Sequence, residues 1–325
     1  MSIKTVSRVT NGEPVVESAT RTRVQEAIDR LGYRPNELAR GLKGSHTRTI
    51  GLVIADISNP FFADLCKEVE EVARGRGYSV ILCASSEDTD SERQYIELLL
   101  QRRVDGLLLV PAPGTGNYLR REREAGLPVV ALDRPVEGVE TDVVLAQSRR
   151  GAYLATEHLV SHGHRNVAFI GDDERIYTAR QRLLGYKEAM VESGLEPLYR
   201  LGAGDIESAD RAVHELLAEK SPPTAIFAGN SLITAGVLRA LRPQSRQDTS
   251  GKKGKIAVVG FDDTELLSAL RPELTKVCQP TRELGRRAAE LLFERIDAGE
   301  NPDPERVELP TQLVINRSCG CEGPE

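Results

Sequence analysis

From Thr49 onward the chain alternates short apolar, β-branched runs with segments of helical spacing. The runs TIGLVIAD, SVILCASS, VDGLLLVPA, PVVALD and DVVLAQ come first; NVAFIGDD, TAIFAGN, IAVVGFDD and KVCQP continue the pattern. Strands that alternate with helices form parallel sheets covered by helices on both faces. This many strands exceed one small domain, and 325 residues suit two domains of about 100–200 residues each. The expectation is an α/β body with two doubly wound sheets. Ligands of such sheets sit outside the carboxyl ends of the strands, so the natural site is a cleft between them.

The residues that follow each strand have one chemistry. Asp56-Ile57-Ser58-Asn59-Pro60-Phe61-Phe62 follows the first, with Asn59 as helix N-cap and Pro60 at the first helical position. Phe62, Leu65, Cys66, Val69, Val72 and Ala73 then keep helical spacing and read as core. Phe61 lies off that stripe and is either an extra packing aromatic or a platform for a sugar or base. Asp133-Arg134-Pro135, Asp172-Asp173 with Arg175 and Arg180-Gln181-Arg182, Asn230-Ser231 and Asp262-Asp263 follow later strands. Carboxylates accept from hydroxyls, Asn donates and accepts, and Arg forks onto paired oxygens. Each residue alone reads as an N-cap or a loop salt bridge. Their recurrence at successive strand ends points to a polyhydroxylated metabolite.

Other classes lack their signals. No apolar run approaches the roughly 18–20 residues of a membrane span, and the N-terminus has no apolar secretory stretch. Five scattered cysteines make no disulfide framework and fit a reducing cytoplasm. Cys319-Gly320-Cys321 has no second pair, and reads as a tail without chemistry. His158 and His162, four apart, have no third ligand, so no metal is expected. There is no phosphate-binding glycine loop, nucleophile elbow or zinc-protease motif, so neither a cofactor nor an enzyme is expected.

Residues 1–48 differ from the rest. They hold nine Lys and Arg against five Asp and Glu, a net of +4, while the remainder carries −10. They show no strand pattern. Ile3, Val6 and Val9 share a face of a short helix, and Asn11-Gly12-Glu13-Pro14 makes a turn. Ser18 reads as an N-cap, Val24, Ile28 and Leu31 as a stripe, and Gly32 as the C-cap. A basic head on an acidic body points to nucleic-acid binding.

Here the chain resembles the lactose/galactose repressor (LacI/GalR) family of bacterial transcription regulators, and it does so over nearly its whole length. SIKTVSRVTNG is similar to the second half of that family's helix-turn-helix, and TRTRVQEAIDRLGYRPNELARGLKG to its third helix and hinge helix. TRTIGLVIADISNPFFADL, RRVDGLLLVPA, EHLVSHGHRNVAFIG, PTAIFAGN, IAVVGFDD and VCQP resemble its effector core, in order. The DISNPFF and LCASSEDTDSERQYIELLLQRRVDGLLLVP stretches look most like the ribose and purine repressor branch.

The resemblance implies a helix-turn-helix head with a hinge helix at 36–43, within residues 1–48. It implies a type I periplasmic-binding-protein-like core: one lobe of 49–147 plus about 280–309, the other of 148–279 plus about 310–321. Residues 3–11 become the recognition helix, lying in the major groove. Ile3, Lys4 and Arg8 occupy base-reading positions; Thr5, Ser7 and Asn11 occupy phosphate-contacting ones. Leu42 stands where the family wedges a leucine into the minor groove, and Lys43 beside it can reach phosphates. The cleft carries over as Asn59, Phe61, Asp133, Arg182, Asn230 and Asp262.

The implied protein is a cytoplasmic homodimeric repressor. It binds a pseudopalindromic double-stranded operator, under control of a sugar, nucleoside or related metabolite. The alternative is a relative that binds ligand alone, whether truncated or of periplasmic type. Three departures accompany the match. The family pattern starts about a dozen residues earlier with a first helix, so an upstream start is expected. Ser231 replaces an aspartate common at that position. Residues 241–255 carry a longer connection that reads as a mobile surface loop.

Overall fold

A computed structural model describes residues 2–10, 15–32, 46–114, 116–242, 256–263, 273–299 and 303–320. They divide into two units, Met1–Arg48 and Thr49–Glu325.

In the first unit α1 (Ile3–Thr10) and α2 (Ser18–Leu31) bury Val9 and Val24, with Val6 half-buried. The N-cap of α2 is Glu17, which makes no side-chain cap bond. Ser18, expected there, is instead the first helical residue, and its carbonyl accepts from Thr22 Oγ1 at 3.1 Å. Glu17 takes the extended cap backbone (φ −54°, ψ 139°), which displaces the start by one residue. Gly32 closes the helix at φ +59°, where a Cβ would be strained, and its N–H bonds the Asp29 carbonyl at 3.3 Å. Leu31, read as part of the apolar stripe, is 74% exposed. The Asn11 turn, the hinge helix at 36–43 with Leu42 and Lys43, and residues 243–255 lie outside the described residues.

The second unit begins with β1 (Thr49–Ile54), α3 (Pro60–Gly75), β2 (Ser79–Ala84), α4 (Thr89–Gln101) and β3 (Gly106–Leu109). It continues through α5 (Arg120–Glu124), β4 (Val129–Leu132) and β5 (Asp142–Ala146). The chain then crosses to a second sheet: α6 (Ser148–Ser161), β6 (Val167–Ile170), α7 (Tyr177–Glu192), β7 (Leu198–Arg200) and α8 (Ile206–Leu217). There follow β8 (Ala225–Ala228), α9 (Ser231–Ala240), β9 (Ala257–Phe261) and β10 (Thr275–Cys278). After β10 it returns through α10 (Thr281–Ala298) to β11 (Arg306–Leu309), then crosses a third time to β12 (Gln312–Val314).

The two six-stranded sheets repeat one order, β2-β1-β3-β4-β5-β11 and β7-β6-β8-β9-β10-β12. All pairs are parallel except β10 with β12. Strands covered on both faces must be apolar throughout, which is why β3, β4, β6 and β8 read as unbroken hydrophobic runs.

In the first lobe, Leu52, Ile54, Leu108 and Leu132 pack with α3 and α10. Val53, Leu107, Leu109 and Val143 pack with Ile96 and Leu99 of α4. In the second, Phe169, Phe227 and Phe261 meet Leu183 and Tyr186 of α7 on one face. Ile170, Ile226 and Ala228 meet α8 and α9 on the other. Each fully buried Leu or Phe contributes about 1.5–3 kcal/mol. These cores set both sheets' carboxyl ends at one cleft.

Candidate functional site

The strands β4 and β9 hold the same place in their two sheets. Each ends in an aspartate with left-handed backbone: Asp133 at φ +68° and Asp262 at φ +74°. Such a conformation costs a non-glycine residue on the order of 1 kcal/mol, and it turns the carboxylate off the end of the strand. Asp133 and Asp262 are 3% and 4% exposed, and both line one cavity.

The other expected cleft residues line the same cavity: Asn59, Phe61, Arg182 and Asn230. Asn59 caps α3, its Oδ1 accepting from the Phe61 N–H at 3.1 Å. That cap turns Phe61 back over the strand end, edge-on to Phe62 with centroids 5.1 Å apart. Asn230 caps α9 through the Ile233 N–H at 2.8 Å, and its Nδ2 donates to Asp172 Oδ2 at 3.5 Å. Arg182, from α7, lies 3.9 Å above the Phe261 ring and donates through Nη1 to the Gly229 carbonyl at 2.8 Å.

The cavity has further lining that the sequence reading did not select. Gln279 donates from Nε2 to Asp262 Oδ1 at 2.5 Å. Arg134 forks onto Glu87 at 2.7 and 2.9 Å and reaches Asp133 Oδ2 at 3.5 Å. Asp172 lines the second lobe's side. Arg134 and Asp172 lay in the strand-end segments already singled out, and Gln279 only within the VCQP motif. Glu87 needed the same rule applied to β2. Phe62, read as core, is buried and also reaches the cavity.

Charge and satisfaction define what this site can take. Four carboxylates (Glu87, Asp133, Asp172, Asp262) face two guanidiniums (Arg134, Arg182). Burial pushes the Asp133 and Asp172 carboxyls above the usual range. Burial works against the Arg134 charge, but Glu87 and Asp133 outweigh it and hold its pKa up. Three buried polar atoms of the cavity's lining residues have no hydrogen-bond partner among the described residues: Asp133 Oδ1, Arg182 Nε and Gln279 Oε1. A buried polar atom left unpaired costs about 1–3 kcal/mol, so a ligand that pairs all three gains that back. The cavity is about 60 Å³. The lobes meet at its rim, where Ser231 Oγ lies 3.5 Å from Asn59 Oδ1.

A model described as bacterial regulatory proteins, lacI family, matches residues 1–36. A second, described as periplasmic binding proteins and sugar binding domain of LacI family, matches residues 47–317. The chain belongs to the LacI family. It therefore joins that family's DNA-binding domain to its sugar-binding domain.

Among relatives of this LacI-family protein is the transcriptional repressor PurR of Aliivibrio fischeri, 36% identical over 98% of this chain and 95% of its own length. The ribose operon repressor of Halalkalibacterium halodurans is 35% identical over 98% and 93%. These two place the chain near the ribose and purine branch. The lac repressor dimer bound to operator and the anti-inducer ONPF superposes with a TM-score of 0.85, at 26% identity over 98% of this chain and 96% of that one.

On the DNA-binding side, Ile3, Lys4, Thr5, Ser7 and Arg8 all fall on α1. The Thr5 N–H bonds the Ser2 carbonyl at 3.0 Å, which starts the helix. Asn11, Leu42 and Lys43 lie outside the described residues.

The remaining sequence candidates bond within the second lobe. His162 Nδ1 bonds the His158 carbonyl at 2.8 Å, and His158 Nε2 lies 3.3 Å from Cys319 Sγ. Cys319, read as part of an inert tail, is buried in the second lobe's core and bonds Thr275 Oγ1 at 3.1 Å. Among the described residues no group of three His, Cys, Asp or Glu is placed to hold a metal, and no helix is long and apolar enough to cross a membrane.

Proposed function

We propose that this LacI-family regulator is a cytoplasmic repressor whose grip on its operator is set by an uncharged, hydroxyl-rich metabolite, a pentose or nucleoside. The three unpartnered atoms that converge on one interlobe cavity carry this reading. A sugar offers hydroxyls that donate to Asp133 Oδ1 and Gln279 Oε1 and accept from Arg182 Nε. The excess of carboxylates selects against an anionic ligand. Phe61 supplies the stacking face.

A cavity of about 60 Å³ is well below the roughly 300 Å³ of an ordinary ligand pocket, so the lobes part to admit ligand and close on it. Closure moves the first lobe, whose chain begins directly after the DNA-binding domain. The ligand thus shifts the population of the arrangement able to bind DNA. By the residue match, α1 is the recognition helix, with Ile3, Lys4 and Arg8 toward bases and Thr5, Ser7 and Asn11 toward phosphates. Leu42 and Lys43 then serve the minor groove. A homodimer presents two such helices to the two halves of a pseudopalindrome.

The test is operator binding to DNA around the protein's own gene, at fixed salt, with and without a panel of pentoses and nucleosides. One uncharged member should raise the melting temperature and change operator affinity. If none does either, the effector reading fails. Lys4→Gln should lower the salt slope of binding by up to about one unit if Lys4 contacts a phosphate. An unchanged slope with relaxed base preference makes it a base reader.

A further inference from the structure

A second cavity, about 360 Å³, lies where β5 hands the chain to the second lobe. Ala146, Gln147 and Arg306 of the first lobe line it, with Ser148, Arg150 and Tyr177 of the second. None of its lining residues belongs to the cleft.

Its floor is the N-terminus of α6, a helix of 14 residues. The first intrahelical bond runs from the Gly151 N–H to the Gln147 carbonyl at 3.0 Å. The N–H groups of Ser148, Arg149 and Arg150 precede it and have no carbonyl within the helix. Gln147 makes no side-chain cap bond. Ser148 is 2% exposed, and its Oγ has no hydrogen-bond partner among the described residues.

The first turn has no acidic residue and begins Ser-Arg-Arg. Two cations at the positive end of a helix dipole repel it, and a bound anion removes that repulsion. Glu188 and Glu308 also line the cavity, but Arg149 engages one at 2.9 Å and Arg306 the other at 2.8 Å. Arg150 lies 5.1 Å from the Tyr153 ring and makes no ion pair among the described residues. Gly185 of α7 packs directly against this turn. A Cβ there would stand 2.0 Å from the Arg149 carbonyl, so only glycine lets the helices approach this closely.

We propose that this crossover cavity binds a phosphate monoester of a small hydroxylated metabolite. The phosphate sits on the first-turn N–H groups of α6 with Ser148 Oγ and Arg150, and the carrier's hydroxyls turn toward Glu188 and Glu308. The volume lies in the range of small-molecule pockets. Because its walls come from both lobes, occupancy there is coupled to lobe closure. The cleft and the crossover thus divide by charge, the first taking a neutral ligand and the second an anion.

Calorimetry of the full chain at constant ionic strength tests this, with ribose 5-phosphate, ribose and inorganic phosphate as probes. Ribose 5-phosphate should bind the wild type. Arg150→Ala should weaken it about tenfold, the loss of a charge-assisted contact, and Ser148→Ala should weaken it several-fold. No binding by the wild type overturns the proposal. So does binding that Arg182→Ala removes and Arg150→Ala leaves intact, because the ester is then a cleft ligand. Inorganic phosphate binding as tightly as the ester overturns the ester assignment. The cleft reading stands or falls separately, on uncharged ligands.

Discussion

The two faces of the cleft are built on equivalent strands yet hold their charges differently. At the end of β4, Asp133 lies beside Arg134, which is clamped by Glu87 through two hydrogen bonds. That face supplies its own counter-ions. At the end of β9, the Asp262 carboxylate has only the neutral amide of Gln279 as a hydrogen-bond donor among the described residues. The cation of that lobe, Arg182, is tied through Nη1 to a backbone carbonyl and keeps Nε unpaired. The first face is thus pre-set apart from Asp133 Oδ1, and the second leaves the charged Arg182 Nε for a ligand to pair. The same backbone device serves rigidity on one side and recognition on the other.

Mutations that separate ligand affinity from stability break this comparison or bear it out. The largest effect falls on the second face. Arg182→Ala should weaken cleft-ligand binding about 100-fold, since a charge-assisted contact inside a dry cavity contributes about 1.5–3 kcal/mol. Its melting temperature should stay within a few degrees of wild type. Titration calorimetry and thermal unfolding measure the two quantities. A large loss of stability with affinity intact would make Arg182 a structural residue and reverse the contrast.

The next effect belongs to the first face and should be the opposite in kind. Glu87→Gln removes the two-bond clamp on the buried Arg134 guanidinium and leaves it only the longer 3.5 Å carboxylate contact with Asp133. Glu87 is partly exposed, so the cost should be about 2 kcal/mol rather than the 3–5 of a fully buried pair. Thermal unfolding should show a clear drop, with ligand affinity changed only a few-fold. Equal losses of affinity and stability would mean that the Glu87–Arg134 clamp is itself part of recognition.

How much of this was legible in the sequence follows the same division. Asp133, Asp262, Asn59, Asn230 and Arg182 were readable because they stand directly after strands or on the helix that follows one. An unbroken apolar run locates the strand end to within a residue or two. Glu87 was not, because β2 lies at a sheet edge with mixed burial and a turn with positive φ at Ser86 and Glu87 follows it. Nothing local announces where that turn aims a side chain. Gln279 was named only as part of a motif, since its role arises where the chain passes between sheets. The burial of Cys319 was not legible, because it depends on the last segment packing back onto β10, a long-range event without a local pattern. The Ser18 cap failed by one residue, within the ordinary uncertainty of helix ends.

The smallest predicted effect sharpens the comparison through pH. Burial raises the carboxyl pKa of Asp172 on the second face, where no arginine donates to it among the described residues. A carboxyl whose folded pKa exceeds its unfolded value binds more protons in the native state. Stability from this group therefore rises as pH falls from the raised folded value toward the ordinary value near 3.8, and it is lost as pH climbs. Asp172→Asn removes the titration. As pH falls from 7 toward the ordinary value near 3.8, the wild type should gain stability relative to that variant. Unfolding curves of both proteins across that range decide it. Parallel profiles would mean that the buried Asp172 is compensated in the folded protein, and the two faces would then differ only in Arg182.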